Sequence, residues 1–355
     1  MVFDQYKHDS LKAYARESRG MGKRYKVTMS GKVPRDWKTF MRNDNNKSEL
    51  FCLLAKSICT IEDGIVYASY NETSICNKLA RQQIPCTHEE ADTRIFVHLK
   101  NAIERDCISS ACIMCNDTDI VILATAFFKE LEIKGLQKLW VSFGIGRNRR
   151  WIPIHDLSIS LGPSKCKGLL FFHALSGCDN VSGFKGKGKK SFYQTWSVFP
   201  EITETFVRLS QFPVCLEEKD IQILEKFIAL LYDKSSTTES VDTTRKLLFM
   251  HKNTQFDFLP PTFAALKQHI SRAVYQASII WGQALEQEPV FSCPKNWGWK
   301  INADGSWDIH WTELSAISDV CSELCKCACK TSCGSRCSCK KSNLQCTSIC
   351  SCSCV

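Results

Sequence analysis

The stretch that most constrains this sequence is its end: 11 of its 22 cysteines fall between residues 321 and 355. From Cys327 the spacing reads C-x-C-x3-C-x3-C-x-C-x6-C-x3-C-x-C-x-C. Cysteines one residue apart are poorly placed to bridge each other, so the pattern points to a metal cluster. Three tetrahedral zinc ions need twelve ligand positions, and nine thiolates supply twelve if three of them bridge. Cys327, Cys329, Cys333, Cys337, Cys339, Cys346, Cys350, Cys352 and Cys354 are therefore the expected Zn²⁺ ligands, with about three ions in the tail. Cys321 and Cys325 are spares that leave the register open. With its five Lys/Arg set against the charge of such a cluster, the tail is near neutral, so a structural zinc knot and a DNA-binding module both remain open.

The other cysteines are scattered between Cys52 and Cys293. The first residues, MVFDQYKHDSLK, hold no apolar signal segment, and no apolar run approaches the ~20 residues that span a bilayer. The expectation is a non-secreted chain in a reducing compartment, without a membrane partner, whose scattered cysteines are free thiols. A formal net charge of +9 leans toward anionic partners.

Residues 1 to 4, MVFD, read as the end of a strand, followed by a basic, helix-like run that holds Lys7, Lys12, Arg16, Arg19, Lys23, Arg24 and Lys26. Lys47 to Cys59 has helical spacing, and Ile65 to Tyr67 is a short strand candidate. Thr87 with Glu90 reads as a capping box opening a helix through about Arg105. Ala111 to Cys115 is an apolar run of the kind found in buried parallel strands. It ends at Asn116-Asp117-Thr118-Asp119, and a helix follows; acids at a strand's carboxyl end lie where open α/β sheets place their sites. Strands are expected at 139–143 and 151–154, joined by GIGRNRR. Helices are expected at 167–175, 218–233 and 262–285, with a polar loop at 235–244 and a packed connector at 296–311.

A second singular stretch is GCDNVSGFKGKGKKSF, residues 177–192, where an apolar run stops at Asp179 and glycines alternate with lysines. Bare amides at Gly186 and Gly188, with Lys187, Lys189 and Lys190, suit anionic oxygens. Taken singly, each acid at an element end has a local explanation: Glu90 in its capping box, Asp117 or Asp119 as an N-cap, Asp179 in a turn. As a set they differ. Carboxylates ~4 Å apart repel by roughly 4 kcal/mol per pair at an effective dielectric near 20, so a cluster calls for a cation. Hard oxygen ligands favour Mg²⁺ or Mn²⁺, two of which can clamp the attacking and leaving oxygens of a phosphodiester.

The order VFD, EEAD opening a helix, DTD after an apolar strand, then GCDNVSGFKGKGKKSF resembles the flap endonuclease/XPG-type 5′ nucleases of the PIN-like superfamily. The resemblance implies a parallel-sheet α/β domain over residues 1–200 with a helix–two-turn–helix element. It makes Glu90, Asp92, Asp117, Asp119 and Asp179 ligands of two metal ions, with Asp4 a further catalytic acid. Gly186 to Lys190 become the grip on DNA phosphates, and the basic helix takes the place of the family's strand-threading arch. The family has a first, acid-bearing strand ahead of VFD that is not found here, and an apolar residue between the two glycines of its turn. The tail resembles the tesmin-type CXC domain, a three-zinc, nine-cysteine module that binds DNA, although its first long gap and its last gap are each one residue shorter.

The expected organisation is a nuclease-like domain at 1–200, a helical extension at 201–290, a connector at 291–320 and a CXC domain at 321–355. The expected activity is divalent-metal-dependent cleavage of DNA, or of RNA, in the nucleus, with no small-molecule cofactor. The alternative is a DNA-binding or chromatin-associated protein that keeps the fold without turnover. A cysteine-protease reading through Cys178 with His173 or His155 has no spacing to support it, and His88 and His98 lack the i, i+4 spacing of a zinc protease.

Overall fold

From Gly168 to Leu175 every residue is buried. A helix that is apolar all round has no solvent face and must lie inside, and α7 (Pro163–Leu175) accordingly forms the centre of the protein. The computed structural model describes residues 1–7, 10–17, 20, 22–78, 83–252, 258–312, 314, 327–341, 346, 350–352 and 354. It divides into two units, Met1–Ile309 and His310–Val355.

In the first unit the elements run α1 (Leu11–Glu17), α2 (Trp37–Phe40), α3 (Asp44–Ile58), β1 (Tyr67–Tyr70), β2 (Thr73–Cys76), α4 (Ala91–Asp106), β3 (Ser110–Cys115) and α5 (Thr118–Ile133). They continue with β4 (Lys138–Phe143), β5 (Arg150–Pro153), α6 (Ile154–Leu161), α7, α8 (Lys189–Val198), α9 (Ile202–Arg208), α10 (Glu218–Tyr232), α11 (Val241–Lys252) and α12 (Phe263–Val274). A π-helical turn, Tyr275–Trp281, extends α12, and a hairpin of β6 (Trp299–Ile301) and β7 (Trp307–Ile309) closes the unit.

The fold is mixed α/β, with short sheets and many helices. The principal sheet has three strands in the order β3-β4-β5. β3 and β4 are parallel, and α5 makes the crossover between them. β5 returns antiparallel, which corrects the expectation of a parallel sheet. The GIGRNRR turn is too short for a crossover, which takes a dozen or more residues, so the chain can only double back. Ile113, Leu139 and Val141 enter the main core with α5, α7 and residues of α9, α10 and α12 such as Phe206, Phe227 and Ile270. One apolar core thus carries the sheet and the helices beyond residue 200.

Three other expectations change at the N-terminal side. Met1 to Phe3 lies along β1, a strand of the separate β1-β2 hairpin: the Ser69 amide donates to Met1 O at 3.0 Å and the Phe3 amide to Ser69 Oγ at 2.7 Å. It therefore ends no strand of the principal sheet. The Thr87–Glu90 capping box does not form; α4 begins at Ala91, with Glu90 at the N-cap making no side-chain bond to the helix. Asp4 supplies the missing acceptor, taking the Ala91 amide at 2.8 Å. The helix-like basic run is helical at Leu11–Glu17. The polar loop expected to reach residue 244 gives way to α11 at Val241. Cys321 and Cys325 lie outside the described residues.

Candidate functional site

Two helix N-termini bring the first acids together. Asp117 is the N-cap of α5 and accepts the Asp119 amide at 2.9 Å, which holds both carboxylates on the first turn. Asp92 lies in the first turn of α4, which packs beside α5. One carboxylate oxygen from each of Asp92, Asp117 and Asp119 lies within 4.8 Å of the others, a group that can hold a metal ion. Burial and the nearby Glu90 and Asp117 carboxylates push the Asp92 carboxyl up to about 8. A group this far from the usual range marks electrostatic frustration that a cation would relieve.

The other three predicted acids gather next to it. Asp4, Glu90 and Asp179 line one cavity of about 180 Å³ together with Lys12 and Asn180. Burial raises the Glu90 carboxyl, against the opposing Lys12 ammonium, with which it forms an ion pair. Asp179 is exposed. It sits in a loop whose path depends on Gly177, at φ +106°, where a Cβ would come within 2.8 Å of Gly183. That loop is pinned from α12. His269 Nε2 donates to Leu175 O at 2.9 Å, its Nδ1 accepts from Ser182 Oγ at 3.2 Å, and its ring meets the Phe184 ring edge to face at 4.7 Å.

The basic residues are less free than their sequence suggests. Arg16 reaches Asp44 at 2.8 Å and Glu89 at 3.2 Å, Arg24 pairs with Glu49, and Lys7 donates to Thr87 O at 2.7 Å. In the glycine–lysine turn, Lys189 donates to Gly177 O at 2.6 Å and Ser176 Oγ at 3.2 Å, closing the C-terminus of α7. Lys187 lies over the Tyr232 ring at 5.0 Å and Lys185 over Phe258 at 5.3 Å. Lys190 is exposed at the start of α8, where Gly188 is the N-cap and no side chain caps the helix. Gly186 takes φ +74°, where a Cβ would come within 3.0 Å of the Phe258 ring.

Sequence reading named two further residues without linking them to the acids. His173, 2% exposed, donates from Nε2 to Asp119 Oδ1 at 2.8 Å and so fixes that carboxylate from the last turn of α7. Lys12 stands against Glu90. The lone histidine in the LLFFHAL run was the available signal for the first; nothing in sequence pairs the second with its partner eighty residues away. Burial pushes the Cys178 thiol up to about 11, which works against a thiolate nucleophile there.

In the second unit the sulfurs form the contacts. Cys327, Cys333, Cys337 and Cys346 make one group that can hold a metal, Cys327, Cys346, Cys350 and Cys352 a second, and Cys333, Cys352 and Cys354 a third. Four of these thiols belong to two groups each, as bridging ligands must. Sulfur separations of 3.5 Å for Cys333–Cys346 and 3.6 Å for Cys327–Cys352 are far too long for disulfides. They approach the ~3.8 Å edge of a tetrahedron with metal–sulfur bonds of ~2.3 Å. Cys339 lies 3.8 Å from Cys350, and Cys329 packs against the cluster; neither belongs to the three groups.

No protein-family model matches the chain, and no curated protein or solved structure matches it at a significant level.

Proposed function

We propose that the first unit is a structure-selective nuclease, cleaving phosphodiesters of DNA or RNA with divalent metal, and that the tail is a zinc-bound module that helps hold the nucleic acid in the nucleus. The observation that carries this reading is the convergence of Asp92, Asp117 and Asp119, from two helix N-termini, on one point within 4.8 Å. The donor set fits Mg²⁺ or Mn²⁺, since it is all carboxylate oxygen. Asp92, Asp117 and Asp119 would hold one such ion, and Glu90 and Asp179, across the adjoining cavity, would contribute to a second. Bound there, the ions would supply an activated water and charge neutralisation at the leaving oxygen.

The chain's own residues would do the rest. Asp117 keeps Asp119 in register through the α5 N-terminus, and His173 holds the Asp119 carboxylate in one rotamer. Asp4 caps α4 and so fixes where Glu90 and Asp92 begin. Gly186, Gly188 and Lys190 present amides and one free-standing charge to a backbone phosphate, while Lys187 and Lys189 shape the turn. Nine cysteines, Cys327 to Cys354, would hold about three Zn²⁺, with three bridges drawn from the four shared thiols of the groups.

A second reading is a DNA-binding or chromatin-associated protein without turnover. The Lys12–Glu90 ion pair favours it, because an ammonium already neutralises one of the predicted metal ligands. The two readings separate on incubation of full-length protein with 5′-flap and single-stranded DNA in Mg²⁺ or Mn²⁺. Metal-dependent cleavage that disappears in the Asp117→Ala/Asp119→Ala variant is the expected result. Absence of cleavage, or cleavage unchanged in the variant, would leave the binding reading standing.

A further inference from the structure

A larger cavity, about 420 Å³, opens beside the acids. Lys12, Glu89, Glu90 and Asn180 line both it and the smaller cavity that holds Asp4 and Asp179, so the two share a wall. The remaining wall is largely apolar and aromatic: Tyr275 and Ile280 from the π-helical turn, Phe291 from the segment after it, and Trp307 from β7. A volume of this size is in the range of small-ligand sites, and such sites combine apolar walls with a few placed polar groups.

The polar groups present are a neutral set. The charged groups of the lining balance in number, Lys7 and Lys12 against Glu89 and Glu90: Lys12 pairs with Glu90, Glu89 is bonded to Ser10 and Arg16, and Lys7 is held at the Thr87 carbonyl. A free anion would therefore find no net positive charge here. Gln276, 3% exposed, accepts from Asn180 Nδ2 through Oε1 at 3.0 Å, and its Nε2 amide is a further donor. His88 donates from Nε2 to Glu286 O at 2.6 Å, which leaves Nδ1 an acceptor. A pocket without net charge that offers a donor, an acceptor and aromatic rings suits a flat heteroaromatic ring with hydrogen-bonding edges.

We infer that this cavity receives a single unstacked nucleobase, that of the nucleotide whose phosphodiester lies at the acidic site. The inference rests on the nuclease reading, and the shared wall is what joins the two: a base in the cavity carries its own phosphate toward Glu90 and Asn180. The consequence is a substrate class. A base must leave its stack to enter, which costs least at single-stranded, frayed or mismatched positions, and enzymes that act on individual nucleotides hold such bases between apolar side chains. The protein is thereby directed to unpaired nucleotides next to the scissile bond.

The test uses full-length protein and a set of single-stranded oligonucleotides, each with one abasic position moved stepwise along the strand. Binding is measured in Ca²⁺ and cleavage in Mg²⁺. Loss of one stacked base is expected to weaken binding about 5- to 150-fold at one position adjoining the cleaved bond, and little elsewhere. Phe291, 45% exposed, can be truncated without emptying the core. Phe291→Ala should weaken the intact oligonucleotide while the abasic one at the sensitive position loses nothing further, the non-additivity of two changes in one contact. Equal binding and cleavage at every abasic position, or no oligonucleotide binding at all, overturns the pocket. Cleavage without position dependence does so while sparing the metal site. A position-dependent binding penalty without any cleavage keeps the pocket and removes the nuclease.

Discussion

Asp92, Asp117 and Asp119 stand on helices that a large apolar core already holds, whereas the buried cluster described in the tail consists of the cysteines themselves. Both regions crowd ligands that repel when ionised. In the first, packing comes before the ligands: Phe96, Leu123 and Phe171 are fully buried among apolar neighbours, and the carboxylates ride on that frame. In the second, the sulfurs that pack together are the same ones that could hold metal, so the proposed zinc would set the tail's order. A site of the first kind tolerates loss of its ion as a loss of activity; a site of the second kind loses its structure.

Removing zinc is the largest blow to that contrast. Structural zinc contributes on the order of 10–16 kcal/mol per ion to a small domain. Elemental analysis should find about three zinc ions per chain. A strong chelator should make residues after 310 protease-sensitive while the thermal transition of the first unit stays in place. A tail that resists protease in chelator, or one zinc or none, would put the two regions in the same class.

Acid should act next, and on the first region. Burial pushes His269 down to about 4, while it holds the Asp179 loop through Leu175 and Ser182. Because the folded state binds this proton less readily than the unfolded chain, the stability it permits is present above about 6.5 and is lost as pH falls toward 4. The difference is worth about 3 kcal/mol at most. Denaturant titrations at pH 7.5 and 4.5 should show the loss, and His269→Gln should flatten the dependence. An unchanged slope would mean that the loop is not held this way.

How far all this could be read from sequence follows the same division. The strand, acid pair and helix from Ala111 to Ile133 were legible because apolar run, N-cap and periodicity agree locally, although the strand lies at the sheet edge with Cys112 and Met114 exposed and is not the buried strand its apolar run suggested. So was the tail, whose spacing is its chemistry. What escaped reading depends on distant partners. Asp4 caps a helix that starts at residue 91, Lys189 turns back on α7, and Lys12 finds Glu90. β5 reverses because of a turn whose length mattered more than the apolar pattern of the strand. The three strands of the principal sheet were visible one by one, but not the pairing between them.

Within the acidic region, His173→Ala should separate positioning from packing. A residue that orients a ligand of a metal typically accounts for about 10- to 100-fold in affinity or activity. The expected result is a loss of that order in Mn²⁺ affinity measured by titration, partly restored in His173→Gln, which can still donate to Asp119. Equal loss of stability and affinity in both variants would make the histidine a packing residue.

The smallest effect is the sharpest for the comparison. A prebuilt acidic cluster carries its repulsion in the folded state, so relieving it should stabilise the fold while spoiling the site. The Asp92 carboxyl, raised by burial and by Glu90 and Asp117, gives its full contribution below about 4 and loses it as pH rises through about 8. Without divalent metal, Asp92→Asn should therefore unfold at higher temperature than the native chain at pH 8, by about 1–2 kcal/mol, with the gap closing toward pH 4. Added Mn²⁺ should raise the native melting temperature and leave the variant unmoved, since only an ion bound to the folded state shifts the equilibrium. No comparable gain is available in the tail, where losing a shared thiol such as Cys327 removes a ligand from two groups at once. If Asp92→Asn is instead destabilising in the absence of metal, the acids are held by contacts of their own, and the frame does not precede the ligands.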